Sequence, residues 1–362
     1  MRILVWQWGR RGAGPRVAVE FARGFASVPG TEAALSLSAG AEILRGPDAP
    51  ACDLPVPTYR TAAGFAARAL SAPLLVPRLA RRIRALAPDV ALCAMPAPLD
   101  LAMAAALRRA GVPFLVVVHD ADAHPGDGFP GQMALQRALL RRADGLVALS
   151  AHVASRLEAQ GAVRGRPLLR ASLPPLAFGP TPPPALAHGG KLRLLSFGRL
   201  LPYKGLDLLA EALHAVGPRA DLEVRVVGSG PETPALAFLR GMPGVTVENR
   251  WVPEAELASL LAWSDALVLS HREASQSGVA AAAIAARRWV VATRVGGLAE
   301  QLAGEKLAIL CEPTGAGVAW GVRRLLTVAG EPVEGGEPGR EWWGVVEQLT
   351  GKMRRCFGFI DI

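Results

Sequence analysis

Residues 270–279 read Ser270-His271-Arg272-Glu273-Ala274-Ser275-Gln276-Ser277-Gly278-Val279. They follow an apolar, strand-like run, Ala266–Leu269, and lead into an alanine-rich helical pattern from Val279 to Ala286. Small residues at a strand-to-helix turn leave backbone N–H groups uncovered at the helix start, where the dipole favours an anion. Glu273, just before that turn, adds a hydrogen-bond acceptor. A phosphate joined to a hydroxyl-rich group satisfies both, and that is the make-up of a nucleotide sugar. A plain helix cap accounts for Ser277 but not for Glu273 and the flanking Ser275-Gln276.

Other constellations also fall where strands end. In Gly198-Arg199-Leu200-Leu201-Pro202-Tyr203-Lys204-Gly205, two cations five residues apart across a turn can both face the point where a diphosphate's charge collects. Two surface cations are the alternative, although Lys204 is one of only four lysines in the chain. Trp8-Gly9-Arg10-Arg11-Gly12-Ala13-Gly14 follows the first strand and fits neither a Walker loop nor GxGxxG, leaving a tight turn and a ligand loop both open. His119-Asp120 ends the run Phe114–Val118, where a histidine either faces a ligand cleft or is hydrogen-bonded at a turn. Asp122, His124 and Asp127 hint at a metal site, but their irregular spacing favours a solvated loop. Gly228-Ser229-Gly230 resembles a phosphate loop, yet the Gly-Pro that closes it marks a turn; Gly296-Gly297 is expected to keep space open beside Glu273.

These residues need a scaffold that brings strand ends together. Strands are expected at Ile3–Gln7, Asp89–Cys93, Phe114–Val118 and Gly145–Ser150, separated by helices at Arg16–Ala26, Ala62–Ala87, Leu99–Ala110 and Gly131–Arg142. The rhythm resumes with strands at Leu192–Phe197, Leu222–Val227, Val245–Asn249, Ala266–Ser270, Val290–Thr293 and Leu307–Cys311, and helices such as Gly205–Ala215 and Pro253–Trp263. Alternating strand and helix implies parallel sheets covered on both faces, with ligands at the carboxyl ends of the strands. Between the two series, residues 174–184 carry six prolines in eleven positions, which excludes helix interior and central strand. The expectation is an α/β chain of two Rossmann-like, doubly wound parallel-sheet domains facing across a cleft. Residues 1–173 form the first, 174–190 a Pro-rich linker and 191–328 the second. Residues 329–362 form a connector (329–339) and a C-terminal helix (341–357) that could pack back on the first domain.

Bulk properties narrow the class. The chain has 362 residues, 51% hydrophobic and 20% charged, as a globular protein with two cores would. No apolar run approaches the roughly 18–20 residues of a membrane span, and Met1–Trp8 followed by Arg10-Arg11 reads as a buried first strand instead of a signal peptide, so a cytoplasmic location is expected. Cys52, Cys93, Cys311 and Cys356 have no close pairing, which supports neither a disulfide framework nor a zinc site. The net charge of +9 lies entirely in residues 1–185, which hold 21 Arg, no Lys and 12 Asp plus Glu. Nucleic acid, an anionic membrane or a phosphorylated substrate could each answer that charge. Nucleic acid lacks the interleaved aromatic residues of a stacking surface. The run Pro77-Arg78-Leu79-Ala80-Arg81-Arg82-Ile83-Arg84 suits peripheral docking on the anionic inner face of a membrane, or a solvated helix face.

Taken in order, the motifs resemble a retaining glycosyltransferase of the two-Rossmann (GT-B) architecture, in the family 4, group 1 set. They are the Gly-rich loop after strand one, His119, Ala143-Asp144-Gly145-Leu146-Val147-Ala148-Leu149-Ser150, Phe197-Gly198-Arg199 with Lys204-Gly205, Val227–Pro231, Glu273, and Val290–Gly297 with Glu300. The resemblance implies that Arg199 and Lys204 neutralise a donor diphosphate, with Ser277 and the N–H groups of Gly278 and Val279 at its distal phosphate. It implies that Glu273 binds hydroxyls of the transferred hexose, that His119 and Asp120 meet the sugar from the first domain, and that the loop Gly12–Gly14 borders donor and acceptor. Glu273, His119, Arg199 and Lys204 are then the catalytic set. No metal and no tightly bound cofactor are implied, because fixed cations and a helix terminus stabilise the departing nucleotide diphosphate, and the sequence offers no obvious second carboxylate to act as nucleophile. The co-substrate would be a UDP- or GDP-sugar, and the acceptor a glycan or lipid-linked saccharide in cell-envelope polysaccharide synthesis. One departure stands out: the family's second glutamate, eight positions after the first and holding the ribose, is Ala281 here. That substitution keeps open a non-catalytic nucleotide-sugar-binding subunit, and the shared fold keeps open a nucleotide-sugar epimerase.

Overall fold

The computed structural model describes residues 1–45, 49–330 and 339–358. The chain divides into two compact units: Met1–Asp122 with Phe129–Ser172 and Gly339–Ile362, and Ala123–Gly128 with Leu173–Pro338.

The first unit holds strands β1 (Arg2–Gln7), β2 (Glu32–Leu37), β3 (Val90–Cys93), β4 (Phe114–Val118), β5 (Gly145–Ala148) and β6 (Leu168–Arg170) in the order β2-β1-β3-β4-β5-β6. Every pairing is parallel. Ile3, Leu4, Val5 and Trp6 are all buried, as a strand covered on both faces requires. Helices α1 (Ala13–Ser27), α2 (Ala62–Leu70), α3 (Ala72–Leu86), α4 (Asp100–Ala110), α5 (Gln132–Leu140) and α6 (Ala151–Ala159) connect the strands.

The second unit holds β7 (Leu192–Arg199), β8 (Leu222–Ser229), β9 (Val245–Asn249), β10 (Ala266–Leu269), β11 (Trp289–Thr293) and β12 (Ala308–Cys311), ordered β12-β11-β10-β7-β8-β9 and again all parallel. Its helices are α7 (Leu206–Val216), α8 (Pro234–Arg240), α9 (Glu254–Trp263), α10 (Gly278–Ala285), α11 (Gly296–Gln301) and α12 (Gly315–Val328). The two-residue period of a strand sorts its core into two layers. Leu194, Val226, Ala266, Val268 and Val291 meet α7, α8 and α12 on one face. Leu195, Val227, Leu267, Leu269, Val290 and Ala292 meet α9, α10 and α11 on the other.

The order reverses between β1 and β3 in the first sheet and between β7 and β10 in the second, and such switch points open a crevice at the strand carboxyl ends. The segments after β7 and β10 that sequence singled out therefore share one crevice within the second unit.

A last helix, α13 (Gly339–Phe357), packs on α1 in the first unit. Trp342 meets Phe21 edge-on at 5.1 Å, and Val346 lies so close to Gly24 that a Cβ there would come within 2.9 Å of its Cγ1. Of the expected connector, residues 331–338 lie outside the described residues. The proline-rich stretch is irregular, and Leu176 N–H donates to the Ala281 carbonyl at 3.0 Å.

Several expectations are corrected. The single helix expected over 62–87 is two helices meeting at Ser71, with Pro73 in the first turn of α3, where its missing N–H costs nothing. Gly14 is not in a loop: α1 begins at Ala13, and Gly12 is its N-cap at φ 80°. Strands β2 and β6 were not anticipated, since Glu32–Leu37 reads as alanine and serine and Leu168–Arg170 is three residues long.

Candidate active site

The crevice between β7 and β10 is built by close backbone contact. Gly228 pairs in register with Gly198, and a Cβ on Gly228 would run into the Gly198 carbonyl; one on Gly230 would run into that of Leu200. Gly228-Ser229-Gly230 is thus the end of β8 packed on the β7 exit, not a free turn. Gly205, at φ 64°, caps α7 where a Cβ would collide with the Ser270 carbonyl. Ser270 Oγ donates to the Lys204 carbonyl at 3.0 Å, and Arg272 N–H to that of Tyr203 at 2.8 Å. These contacts bind the loop after β10 to the Pro202–Lys204 turn after β7.

The start of α10 closes the same crevice. Ser277 is its N-cap, its Oγ accepting from Ala280 N–H at 3.3 Å. Gln301 clamps the Ser277 backbone from both sides: Oε1 accepts from its N–H at 2.8 Å and Nε2 donates to its carbonyl at 3.1 Å. Ser277 thus holds the helix start through its backbone and one lone pair of its hydroxyl oxygen, and the O–H remains a donor at the same helix end. The N–H groups of Gly278 and Val279 have no partner among the described residues, and they sit at the positive end of α10. A Cβ on Gly198 would lie 3.5 Å from Val279 Cγ2, so the β7 exit borders this helix end.

Arg199 and Lys204 are joined through Tyr203. Arg199 Nη2 donates to the Tyr203 hydroxyl at 3.1 Å, and the Lys204 ammonium sits 5.0 Å from the Tyr203 ring centroid. Lys204 Nζ also lies 2.7 Å from Nε2 of His271. Burial, and then the Lys204 charge, hold His271 well below the ordinary histidine range, so the ring is neutral. A histidine beside a strand end carries no local signal in the sequence that it will face a lysine 67 positions away.

The loop 123–128 belongs to this unit, and most of it is exposed, as expected of a solvated loop, but its two polar side chains are tied to the site. His124 Nδ1 lies 2.9 Å from Glu273 Oε1, and its ring stacks on Tyr203 with centroids 4.6 Å apart. Asp127 pairs with the Arg199 guanidinium. Two members of the expected set, Glu273 and Arg199, thus already hold groups of opposite character. Gly297, expected to leave space, donates its N–H to the Ala274 carbonyl at 3.0 Å and ties α11 to the loop. Ala281 is fully buried. Among the described residues, no group of three or more His, Cys, Asp and Glu side chains is placed to hold a metal ion.

The first unit carries the remaining expected residues at its own sheet edge. Gln7 fills the space beneath the glycines after β1: its Oε1 accepts from Gly9 N–H at 2.8 Å, and a Cβ on Gly14 would come within 2.8 Å of its Nε2. His119, at the end of β4, is buried, and its Nε2 donates to the Ala94 carbonyl beyond β3 at 3.0 Å. Burial lowers its pKa. The Asp120 carbonyl accepts from Gln136 Nε2 at 2.6 Å. Asp100, which sequence did not single out, is buried at the start of α4 and accepts from Trp6 Nε1, Ala97 N–H and the Cys93 thiol; burial pushes its carboxyl up to about 7.

Two doubly wound parallel-sheet units, one with cations and a helix N-terminus at its switch point, define the GT-B class of α/β protein. Residues 5–170 match the sequence profile of the glycosyl transferase 4-like domain, and residues 191–327 that of glycosyl transferases group 1. Between them they take in most of the chain, which belongs to the group 1, family 4-like glycosyltransferases. No curated protein sequence matches it. Among solved structures it is similar to sucrose-phosphate synthase from Thermosynechococcus elongatus, at 15% identity and a TM-score of 0.67 over 99% of both chains. Anabaena HepE in complex with UDP and glucose is similar at 14% identity and 0.66, again over 99% of both. A putative UDP-N-acetylglucosamine 2-epimerase from Listeria monocytogenes is similar at 13% identity and 0.60, over 100% of this chain and 97% of that one. At such identities the likeness is one of fold. Among the described residues no helix is long and apolar enough to cross a membrane.

Proposed function

We propose that this glycosyltransferase moves a hexose, with retention, from a nucleotide diphosphate sugar to a glycan or lipid-linked acceptor in cell-envelope polysaccharide synthesis, without a metal ion. The observation that carries the donor assignment is the N–H pair of Gly278 and Val279, without a partner among the described residues, at the positive end of α10, bordering the β7 exit that bears Arg199 and Lys204. A distal phosphate accepts from those N–H groups, and the two side chains supply the positive charge that a bridging cation would otherwise bring. Glu273 then holds sugar hydroxyls. That HepE was solved with UDP and glucose favours a UDP-hexose among the donors.

In the step proposed, the bond from the sugar's anomeric carbon to the diphosphate oxygen breaks as the acceptor oxygen bonds to that carbon from the same face. The acceptor's proton passes to the departing phosphate oxygen. The cations and the helix end stabilise the charge that builds on the leaving group, and they do so before reaction begins. We assign Gly12, Gly14, His119 and Asp120, in the domain expected over residues 1–173, to the sugar and acceptor side, and the domain expected over residues 191–328 to the donor. His119 serves as a neutral ring fixed by its bond to Ala94. With Ala281 buried, the ribose is held by other groups.

The test is turnover of UDP-, GDP- and ADP-hexoses in EDTA, with the anomeric configuration of the product read by proton NMR. Transfer or slow donor hydrolysis with retained configuration supports the proposal. Binding without turnover favours the non-catalytic subunit, and release of an epimerised sugar favours an epimerase.

A further inference from the structure

Residues 54–88 contain six arginines (Arg60, Arg68, Arg78, Arg81, Arg82, Arg84) and no Asp or Glu. Among the described residues none of these arginines makes an ion pair. Within the same stretch, Ala62–Pro77 holds a single charge, Arg68. A run this apolar would ordinarily be buried, yet α2 has no buried residue.

The two most exposed large hydrophobic residues described, Leu70 at 82% and Leu74 at 66%, flank the Ser71 corner between α2 and α3. Ala66, Ala67, Ala69 and Pro73 are exposed around them. The corner is ordered from beneath. Thr61 caps α2 by accepting from Gly64 N–H, Phe65 meets Tyr59 edge-on at 5.2 Å, and Leu79, Ala80 and Ile83 of α3 enter the core. Leu74, Arg78, Arg81 and Arg82 fall at i, i+4, i+7 and i+8, so the apolar tip runs into a row of exposed guanidinium groups along one stripe of α3.

From this we infer that the α2–α3 corner docks on an anionic lipid bilayer, with Leu70 and Leu74 inserted at the headgroup boundary and the arginines of α3 against lipid phosphates. A solvated helix face would mix both signs of charge, and this one does not. Apolar tip residues beside long cationic side chains match an interface that is oily below and negative above. Nucleic acid fits worse, because alanine and leucine offer bases nothing to stack on. The inference goes beyond the donor chemistry and can fail apart from it.

The experiment is co-sedimentation of the full chain with phosphatidylcholine vesicles, with and without phosphatidylglycerol. The wild type should bind the phosphatidylglycerol vesicles and be released by salt. Leu70→Ser with Leu74→Ser, and separately Arg78→Ser with Arg81→Ser, should each weaken binding by about tenfold or more. Their melting temperatures and donor hydrolysis should stay at wild-type values, since these side chains are exposed and outside the donor set. No binding, equal binding to both vesicle types, or variants that bind like the wild type would overturn the inference. So would a wild-type dimer on size exclusion that the leucine variants abolish while vesicle binding is absent.

Discussion

The Lys204 ammonium donates to Nε2 of His271 across 2.7 Å. The direction is fixed, because a charged lysine has no lone pair to offer, so the imidazole proton must sit on Nδ1. Among the described residues His271 Nδ1 has no partner at full hydrogen-bond geometry, with the Leu269 backbone beside the ring, so Lys204 makes the ring's close polar contact. A buried neutral histidine holds the cation in place without neutralising it.

His271→Leu should therefore lower kcat by about tenfold to a hundredfold while leaving a folded protein, and Lys204→Ala by about a hundredfold or more. Steady-state donor hydrolysis checks both. Full activity in His271→Leu would mean that the lysine needs no such anchor.

Asp127 occupies the Arg199 guanidinium that the donor diphosphate would need. Asp127→Asn should release it and lower the donor KM severalfold with kcat little changed, as measured by initial rates. A raised KM would instead make Asp127 part of the binding surface.

Ala281 is fully buried, and its carbonyl is taken by Leu176. Restoring the family's glutamate should not restore a ribose contact. Ala281→Glu should cost several kcal/mol, about 3 or more, by burying a carboxylate and prying away the 174–178 strand of chain. Thermal unfolding reads this directly; a stable variant with tighter donor binding would contradict it.

In the first unit, His119 and Asp100 pull stability in opposite directions with pH. His119 is held below the ordinary 6.5, so as pH falls beneath that value the unfolded chain takes up a proton the folded one refuses, and stability drops. Asp100, raised from 3.8 to about 7, makes the folded state hold the extra proton over the same range, so its contribution falls as pH rises. Asp100→Asn removes the opposing trend. Denaturation of that variant between pH 5 and 6.5 should lose stability more steeply on acidification than the wild type, by up to about 1.4 kcal/mol per pH unit. Parallel pH profiles would show that Asp100 is not the titrating group.

The sheets were legible because buried parallel strands leave continuous apolar runs, as at Phe114–Val118 and Ala266–Leu269. The edge strands β2 and β6 were not, for their short or small-residue sequences carry no such run. At the candidate site, Glu273, Arg199 and Lys204 were readable from residue type at strand ends. His271, Gln301, Tyr203 and Asp127 were not, since each acts through a partner made near only by folding: Gln301 reaches Ser277 from 24 positions away, and Asp127 reaches Arg199 from 72. Gly228 and Gly230 misled for the same reason, their small size being demanded by the neighbouring strand exit.

The central claim is that Arg199, Lys204 and the start of α10 bind a nucleotide diphosphate without a metal. Isothermal titration of the full chain with UDP and with GDP, in EDTA, tests it most directly. The account predicts saturable binding of at least one of them that Lys204→Ala weakens by about tenfold or more. Binding that requires a divalent cation, or binding of neither nucleotide to the wild type, would contradict it.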